Sequence, residues 1–314
     1  MNVLSLFDGM SCGRIALERA GIQVTNYYAS EIDKYAIKVS RCNWEDIIQL
    51  GTVLDFKKWW LPKIDLLIGG SPCQGFSFAG KQLAFDDPRS KLFFEFVECL
   101  KCFKPKYFML ENVRMKKEFQ DVISKYLGVE PIRINSNLVS AQNRDRWYWT
   151  NIPDIEQPGD KGVVLRDVLE DGFVDRDKSF CLDANYFKGG NLKQYFEKHR
   201  RQLVFSKDGL CHIGDADLKG NDTIKRVYHE DGKSPTLTTM GGGHREPKVF
   251  VYPNGWRKLT PIECERLQTV PDNYTDCVSN SQRYKMLGNG WTVDVIAHIF
   301  KGVDKEAIHG QSKN

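Results

Sequence analysis

The chain has 314 residues, with 45 basic and 41 acidic side chains and a formal net charge of +4. That length suffices for one large domain or two smaller ones, each with a core of its own, and so mild a charge excess does not by itself announce a nucleic-acid binder. No apolar run reaches the roughly 20 residues that a membrane helix needs, no signal-peptide pattern precedes the first strand, and the nine cysteines follow no disulfide framework. The expectation is a cytoplasmic protein without a membrane span.

Residues 1–151 alternate short apolar runs with amphipathic stretches, the pattern of an α/β protein with a doubly wound parallel sheet. Strands are expected at 3–7, 25–30, 64–69, 106–110 and 145–150. A helix is expected through Ile15, Ala16, Leu17 and Ala20, ending at Gly21, and another through Leu92, Phe93, Phe96, Val97 and Leu100, stopped by Lys104-Pro105. Over 152–254 the texture changes to glycine, aspartate and lysine with weak periodicity, which reads as a smaller, irregular domain. Regular patterning returns over 255–302, with helices at 261–267 and 292–300, and 303–314 form a polar tail.

The apolar run Leu66-Leu67-Ile68-Gly69-Gly70 stops at Ser71-Pro72-Cys73-Gln74-Gly75. In open α/β sheets chemistry gathers beyond the carboxyl ends of the strands, so Cys73 is a candidate nucleophile. The run 106–110 delivers Glu111-Asn112-Val113 to the same edge, and a thiol and a carboxyl then face one cleft. Phe7-Asp8-Gly9-Met10-Ser11-Cys12-Gly13 lies between the first strand and its helix, where glycines let backbone amides approach a ligand. Its spacing departs from Gly-x-Gly-x-x-Gly and alone is a weak signal. Cys99 and Cys102 form a C-x-x-C pair with no second ligand pair, and the six histidines show no metal spacing, so no metal is expected.

In this order, Phe7-Asp8-Gly9, Pro72-Cys73-Gln74, Glu111-Asn112-Val113, Gln142-Asn143-Arg144-Asp145-Arg146, Arg257-Lys258-Leu259-Thr260 with Glu263, and Gly288-Asn289-Gly290 resemble the motifs of the C5-cytosine DNA methyltransferases. The resemblance covers nearly the whole chain apart from its middle segment. The stretches 139–149 and 288–293 are also similar to the eukaryotic de novo branch, but no histone-reading or zinc-rich region accompanies them, so the compact bacterial or phage type is preferred.

The resemblance implies a Rossmann-like sheet binding S-adenosylmethionine, with a smaller target-recognition domain over 152–254 and the chain returning to the first domain over 255–302. Phe7, Asp8, Gly9, Met10 and Gly13 would hold the methionine part of the cofactor. Glu31 would bind the ribose hydroxyls, and Ile32 and Leu92 would pack on the adenine. Pro72, Asn289 and Trp291 would help close the pocket. Relatives carry Gly-Asp where this chain has Gly51-Thr52-Val53; a threonine hydroxyl at Thr52 accepts a hydrogen bond from adenine but lacks the aspartate charge.

By the same resemblance Cys73 adds to carbon 6 of cytosine, Glu111 acts at ring nitrogen 3, Arg146 holds the ring carbonyl oxygen, and Arg144 contacts the backbone or supports the loop. The target base must leave the stack to be reached. Gln74 and Ser77 belong to a loop that closes over it. Thr236 and Thr238 match the segment that contacts phosphate beside the flipped base, and Arg226 matches an arginine that reads guanine, with a phosphate contact as the equal alternative. The basic residues at 198–201, 225–226 and 244–245 would face DNA. Duplex DNA is the expected partner, with a cognate restriction endonuclease as a further candidate, and the protein is expected to be a monomer. Two alternatives remain open: the same chemistry on transfer RNA, disfavoured by the absence of a Cys-Phe-Thr signature, and a silent DNA-binding homologue, disfavoured by the intact Cys73, Glu111 and Arg146.

Overall fold

A computed structural model describes residues 1–71, 91–206, 212–215, 226–229, 248–250 and 255–303. Pro72, Cys73, Gln74, Ser77, Thr236 and Thr238 lie outside the described residues. The first half of the chain alternates strands and helices: β1 (Asn2–Leu6), α1 (Cys12–Arg19), β2 (Asn26–Ser30), α2 (Lys34–Asn43), β3 (Ile47–Gln49), β4 (Leu66–Gly69), α3 (Lys91–Phe103), β5 (Tyr107–Val113), α4 (Lys117–Leu127), β6 (Ile132–Asn135) and β7 (Asp145–Thr150). These seven strands form one sheet in the order β3-β2-β1-β4-β5-β7-β6.

Both faces of the sheet are covered, and the strands show why. Leu66 and Ile68 enter one apolar cluster while Leu67 between them enters the other, and Tyr107 and Met109 part in the same way from Phe108 and Leu110. Alternate side chains of a strand point to opposite faces, so an unbroken apolar run means a strand buried on both. On one face lie α1 and the last helix; on the other lie α3, with Phe93, Phe96 and Val97, and α4, with Phe119, Ile123 and Leu127.

Two expectations need correction. The sheet is not wholly parallel: β7 runs antiparallel to β5 and to β6. The apolar and aromatic run of β7 marks a strand but carries no direction, which is set by the reversal after β6 that inserts β7 between β5 and β6. Nor does β5 end at Leu110. Glu111, Asn112 and Val113 pair with Tyr148, Trp147 and Arg146, so the acid sits on a strand rather than in a loop.

The remaining described elements are α5 (Leu192–Lys198), β8 (Leu203–Ser206), β9 (His212–Asp215), β10 (Arg226–His229), β11 (Lys248–Phe250), β12 (Gly255–Lys258), α6 (Pro261–Leu267), α7 (Asn280–Asn289) and α8 (Val293–Phe300). β8 pairs antiparallel with β12, and β9–β11 form a three-stranded sheet. α6 starts with a capping box, in which Thr260 accepts from Glu263 N and Glu263 accepts from Thr260 N, and with proline at its first turn. The buried Glu263 also takes two hydrogen bonds of 2.8 Å from Arg257, tying β12 to α6. α8 packs on α1 within the same apolar cluster. Among the described residues no helix is long and apolar enough to cross a membrane.

Candidate active site

Strand order reverses between β1 and β4, the two neighbours whose connections leave in opposite directions, and ligands in such sheets bind at this switch point. The turn after β1 is unusual in its backbone. Phe7, Gly9 and Ser11 all have positive φ, at 57°, 61° and 64°. Non-glycine residues held there cost on the order of 1–3 kcal/mol each and gather at functional sites. Ser11, the residue before α1, does not cap the helix; its hydroxyl donates to Asp8 Oδ2 at 2.5 Å and lies 2.7 Å from Ser40 Oγ. Tyr27 donates to Asp8 Oδ1 at 2.7 Å. Asp8 is therefore turned into the protein, and burial pushes its carboxyl up to about 6 despite these donors. Met10 is buried too, and Gly13 is closely covered by Ile68, Tyr27 and Trp291.

Glu31 closes the other side of this turn. Its Oε2 accepts from Gly9 N at 2.8 Å, and its Oε1 accepts from the amides of Ile32 and Asp33 at 2.7 and 2.8 Å. A carboxylate has about four acceptor positions, so capacity remains for hydroxyl donors. Ile32 is 77% exposed, a large apolar side chain left uncovered beside that carboxylate. Thr52 caps the short helical turn Val53–Lys58 by accepting from Leu54 N at 3.3 Å, and Val53 is buried behind it. Leu92, on the first turn of α3, is half-buried against the second apolar cluster.

Across the switch point stands Glu111. Arg146 Nε lies 2.9 Å from Glu111 Oε1 and Trp291 Nε1 donates to Glu111 Oε2 at 3.2 Å, with both ionic side chains largely buried. A cation and an indole N–H thus hold the carboxyl from two elements, β7 and the segment between α7 and α8. Gly70 admits this arrangement, because a Cβ there would lie 3.0 Å from Trp291 Nε1 and 3.1 Å from Glu111 Oε2. Next to Gly70, Ser71 Oγ accepts from the buried Asn112 Nδ2 at 3.4 Å. The acid strand is thereby tied to the segment that leads, two residues later, to Cys73.

Arg144 is 3% exposed, and its guanidinium donates to the carbonyls of Leu182, Gly288 and Gly290. Burial, and then the neighbouring Arg146, lower its pKa. Cys181, which no sequence signal marks, sits between the two arginines, 3.4 Å from Arg144 Nη1 and 3.9 Å from Arg146 Nη2. The nearby Cys12 is a poor nucleophile: burial pushes its thiol up to about 12, and the thiolate is the reactive form.

Of the other predicted residues, Asn289 is exposed at the end of α7, and Arg226 opens β10. In the basic run 198–201, Arg200 and Arg201 both lie against Asp183, at 3.3 and 3.8 Å, which reduces the charge that this stretch presents. No group of three or more metal-ligating side chains occurs among the described residues. The pairing of Trp291 with Glu111 escapes the sequence, which associates Trp291 only with the cofactor pocket.

The family model for C-5 cytosine-specific DNA methylases matches residues 1–305. The orphan methyltransferase M.Rho11sI of Bacillus phage rho11s is 27% identical, over 98% of this chain and 98% of its own length. The type II methyltransferase M.HpaII of Haemophilus parainfluenzae is 31% identical, over 93% of this chain and 86% of its own. A crystal structure assigned to a DNA modification methyltransferase from an Escherichia coli prophage matches with a TM-score of 0.60 at 22% identity, covering 96% of this chain and 98% of that one, a likeness of fold.

Proposed function

The chain belongs to the C-5 cytosine-specific DNA methylases, and we propose that it moves a methyl group from S-adenosylmethionine to carbon 5 of a cytosine flipped out of duplex DNA, through a covalent bond to Cys73. The observation that carries this reading is the carboxyl of Glu111, fixed by Arg146 and Trp291 at the switch point and linked through Asn112 to Ser71, two residues before Cys73.

The cofactor fits the residues present. Open space lies beside Gly9 and Gly51, Glu31 has spare acceptor capacity next to the turn, and Ile32 offers an uncovered apolar surface for a ring. Phe7, Asp8, Gly9, Met10 and Gly13 would serve through their backbone and shape, since Asp8 and Met10 point inward. Thr52, Val53, Leu92, Pro72 and Asn289 would complete the pocket. When bound, S-adenosylmethionine supplies an electrophilic methyl group.

The chain's own residues do the rest. Carbon 5 of cytosine is a weak nucleophile until sulfur adds at carbon 6. Cys73 makes that bond, and Glu111 hydrogen-bonds or protonates ring nitrogen 3, where the displaced electron pair accumulates. Arg146 holds the carbonyl oxygen with a permanent cation. Once carbon 5 is methylated, its proton passes to solvent, nitrogen 3 returns its proton to Glu111, and the Cys73–carbon bond breaks to restore the ring. Arg144, engaged with protein carbonyls, supports this arrangement rather than touching the base. The segments with Gln74, Ser77, Arg226, Thr236 and Thr238 contact the DNA, and the enzyme works as a monomer in the reducing cytoplasm that a catalytic thiol needs.

Labelled S-adenosylmethionine offered with duplex DNA and, separately, with transfer RNA tests the reading. Label is expected in DNA at carbon 5 of cytosine, located by bisulfite sequencing. Transfer to RNA alone, or to neither, contradicts it.

A further inference from the structure

Trp291 touches three motifs at once. Its ring lies 3.4 Å from where a Cβ at Gly13 would sit, its Nε1 lies 3.0 Å from where one at Gly70 would sit, and the same Nε1 donates to Glu111 Oε2 at 3.2 Å. Trp291 is half-buried and packs against the larger apolar cluster, and its neighbour Thr292 is anchored through its hydroxyl to Ser136 and Gln268. The indole is therefore held by its surroundings, not by the carboxylate it meets.

We propose that Trp291 is a positioning residue for Glu111: wedged between Gly13 and Gly70, its N–H fixes one carboxyl oxygen and leaves the other turned to the base. This deepens the function proposed above and rests on it. A glutamate carboxyl rotates easily about its last torsion, which is broad and roughly two-fold. Arg146 alone does not fix it, because the same guanidinium has to engage the base. With Oε2 held by Trp291, Oε1 stays on the Arg146 side, 2.9 Å from Arg146 Nε, and in the proposed complex this is the oxygen that ring nitrogen 3 meets. An indole suits this task since it donates one hydrogen bond, accepts none and carries no charge that would compete for the carboxyl proton.

The geometry separates this role from a cofactor contact. Trp291→Phe keeps an aromatic ring but removes the N–H, and Gly70→Ala keeps both partners but introduces a methyl group between them. Single-turnover transfer of labelled methyl to duplex DNA at saturating S-adenosylmethionine should slow about 10- to 100-fold in Trp291→Phe, the loss expected for one hydrogen bond to a charged group. Cofactor affinity should change by less than about threefold. Against a Glu111→Gln background the same substitution should cost far less, since paired residues are non-additive. Gly70→Ala should slow the same step, and it carries the test if Trp291→Phe does not fold. A normal rate in both variants overturns the role, as does weaker cofactor binding with an unchanged saturating rate, or an equal cost in both Glu111 backgrounds. Failure of the wild-type protein to methylate DNA at all is a different result, and it removes the underlying function.

Discussion

Asp8 shows how one residue can stabilise a site without facing its ligand. It is buried against Ser11, Tyr27 and the turn it belongs to, and its carboxyl is pushed up to about 6 because burial outweighs those hydrogen bonds. The folded state therefore keeps the Asp8 proton more firmly than the unfolded chain, whose value is 3.8. Between pH of about 4 and 6 the folded state binds more protons, so this group's contribution is present at low pH and lost as pH rises through 6. The shift corresponds to about 3 kcal/mol. Asp8→Asn cannot ionise, and its stability relative to the wild type should improve by roughly that amount between pH 4 and pH 7. Denaturant midpoints at the two pH values measure this; a constant offset between the proteins contradicts it.

The candidate residues stand out in the sequence because their chemistry is distinctive: a thiol after Pro72, an acid in Glu111-Asn112-Val113 and arginines at 144 and 146. Of these, Pro72 and Cys73 lie outside the described residues. The resemblance gives Arg146 to the base and Arg144 to the backbone or loop; the fold sets Arg146 against Glu111 and Arg144 on the carbonyls of Leu182, Gly288 and Gly290, partners that the sequence does not name.

At the scale of elements, the strands with unbroken apolar runs were read to within a residue or two at most ends, since burial on both faces leaves little ambiguity. α2 and α7 were not, and their composition explains it. α2 buries only Ala36, Val39 and Ser40, and α7 mixes polar and apolar residues with no clean face. The length of β5 was missed because a glutamate and an asparagine end an apolar run, whereas pairing with β7 continues the strand. α7 matters more than its weak pattern suggests. A Cβ on Gly288 would overlap the backbone of Asp183 and Ala184, so α7 meets that segment with no room for a side chain. The carbonyls of Gly288 and Gly290 also hold Arg144. Gly288→Ala should destabilise the protein by about 1–3 kcal/mol, as overpacking does, and lower methyl transfer by displacing Arg144 and Trp291. Thermal unfolding and activity measured together check this; wild-type values for both would contradict it.

At the scale of the molecule, the larger apolar cluster joins both ends of the chain. Val3, Ile15 and Met109 share it with Leu287, Val295, Ile296, Ile299 and Phe300. Arg19 and Lys161 both pair with Asp294 at this junction, at 2.7 and 2.6 Å, but such partly exposed pairs contribute little. Burial of the apolar groups dominates. Large apolar side chains contribute about 1.5–3 kcal/mol each, so removing the five from the C-terminal part forfeits an amount comparable to the ~5–15 kcal/mol that holds a domain together. A fragment ending at residue 254 should therefore lack a cooperative unfolding transition. A sharp transition in that fragment would mean that the first 254 residues fold alone.

In the proposed function, the switch point and the fixed acid serve one covalent bond, from Cys73 to the base. The most direct test is mass spectrometry of the protein after incubation with S-adenosylmethionine and duplex DNA carrying 5-fluorocytosine, whose fluorine cannot leave as a proton does. The expected result is a denaturation-resistant complex with the modified base attached at Cys73, absent from Cys73→Ala. An adduct at another residue, or an equal yield from Cys73→Ala, would contradict the mechanism.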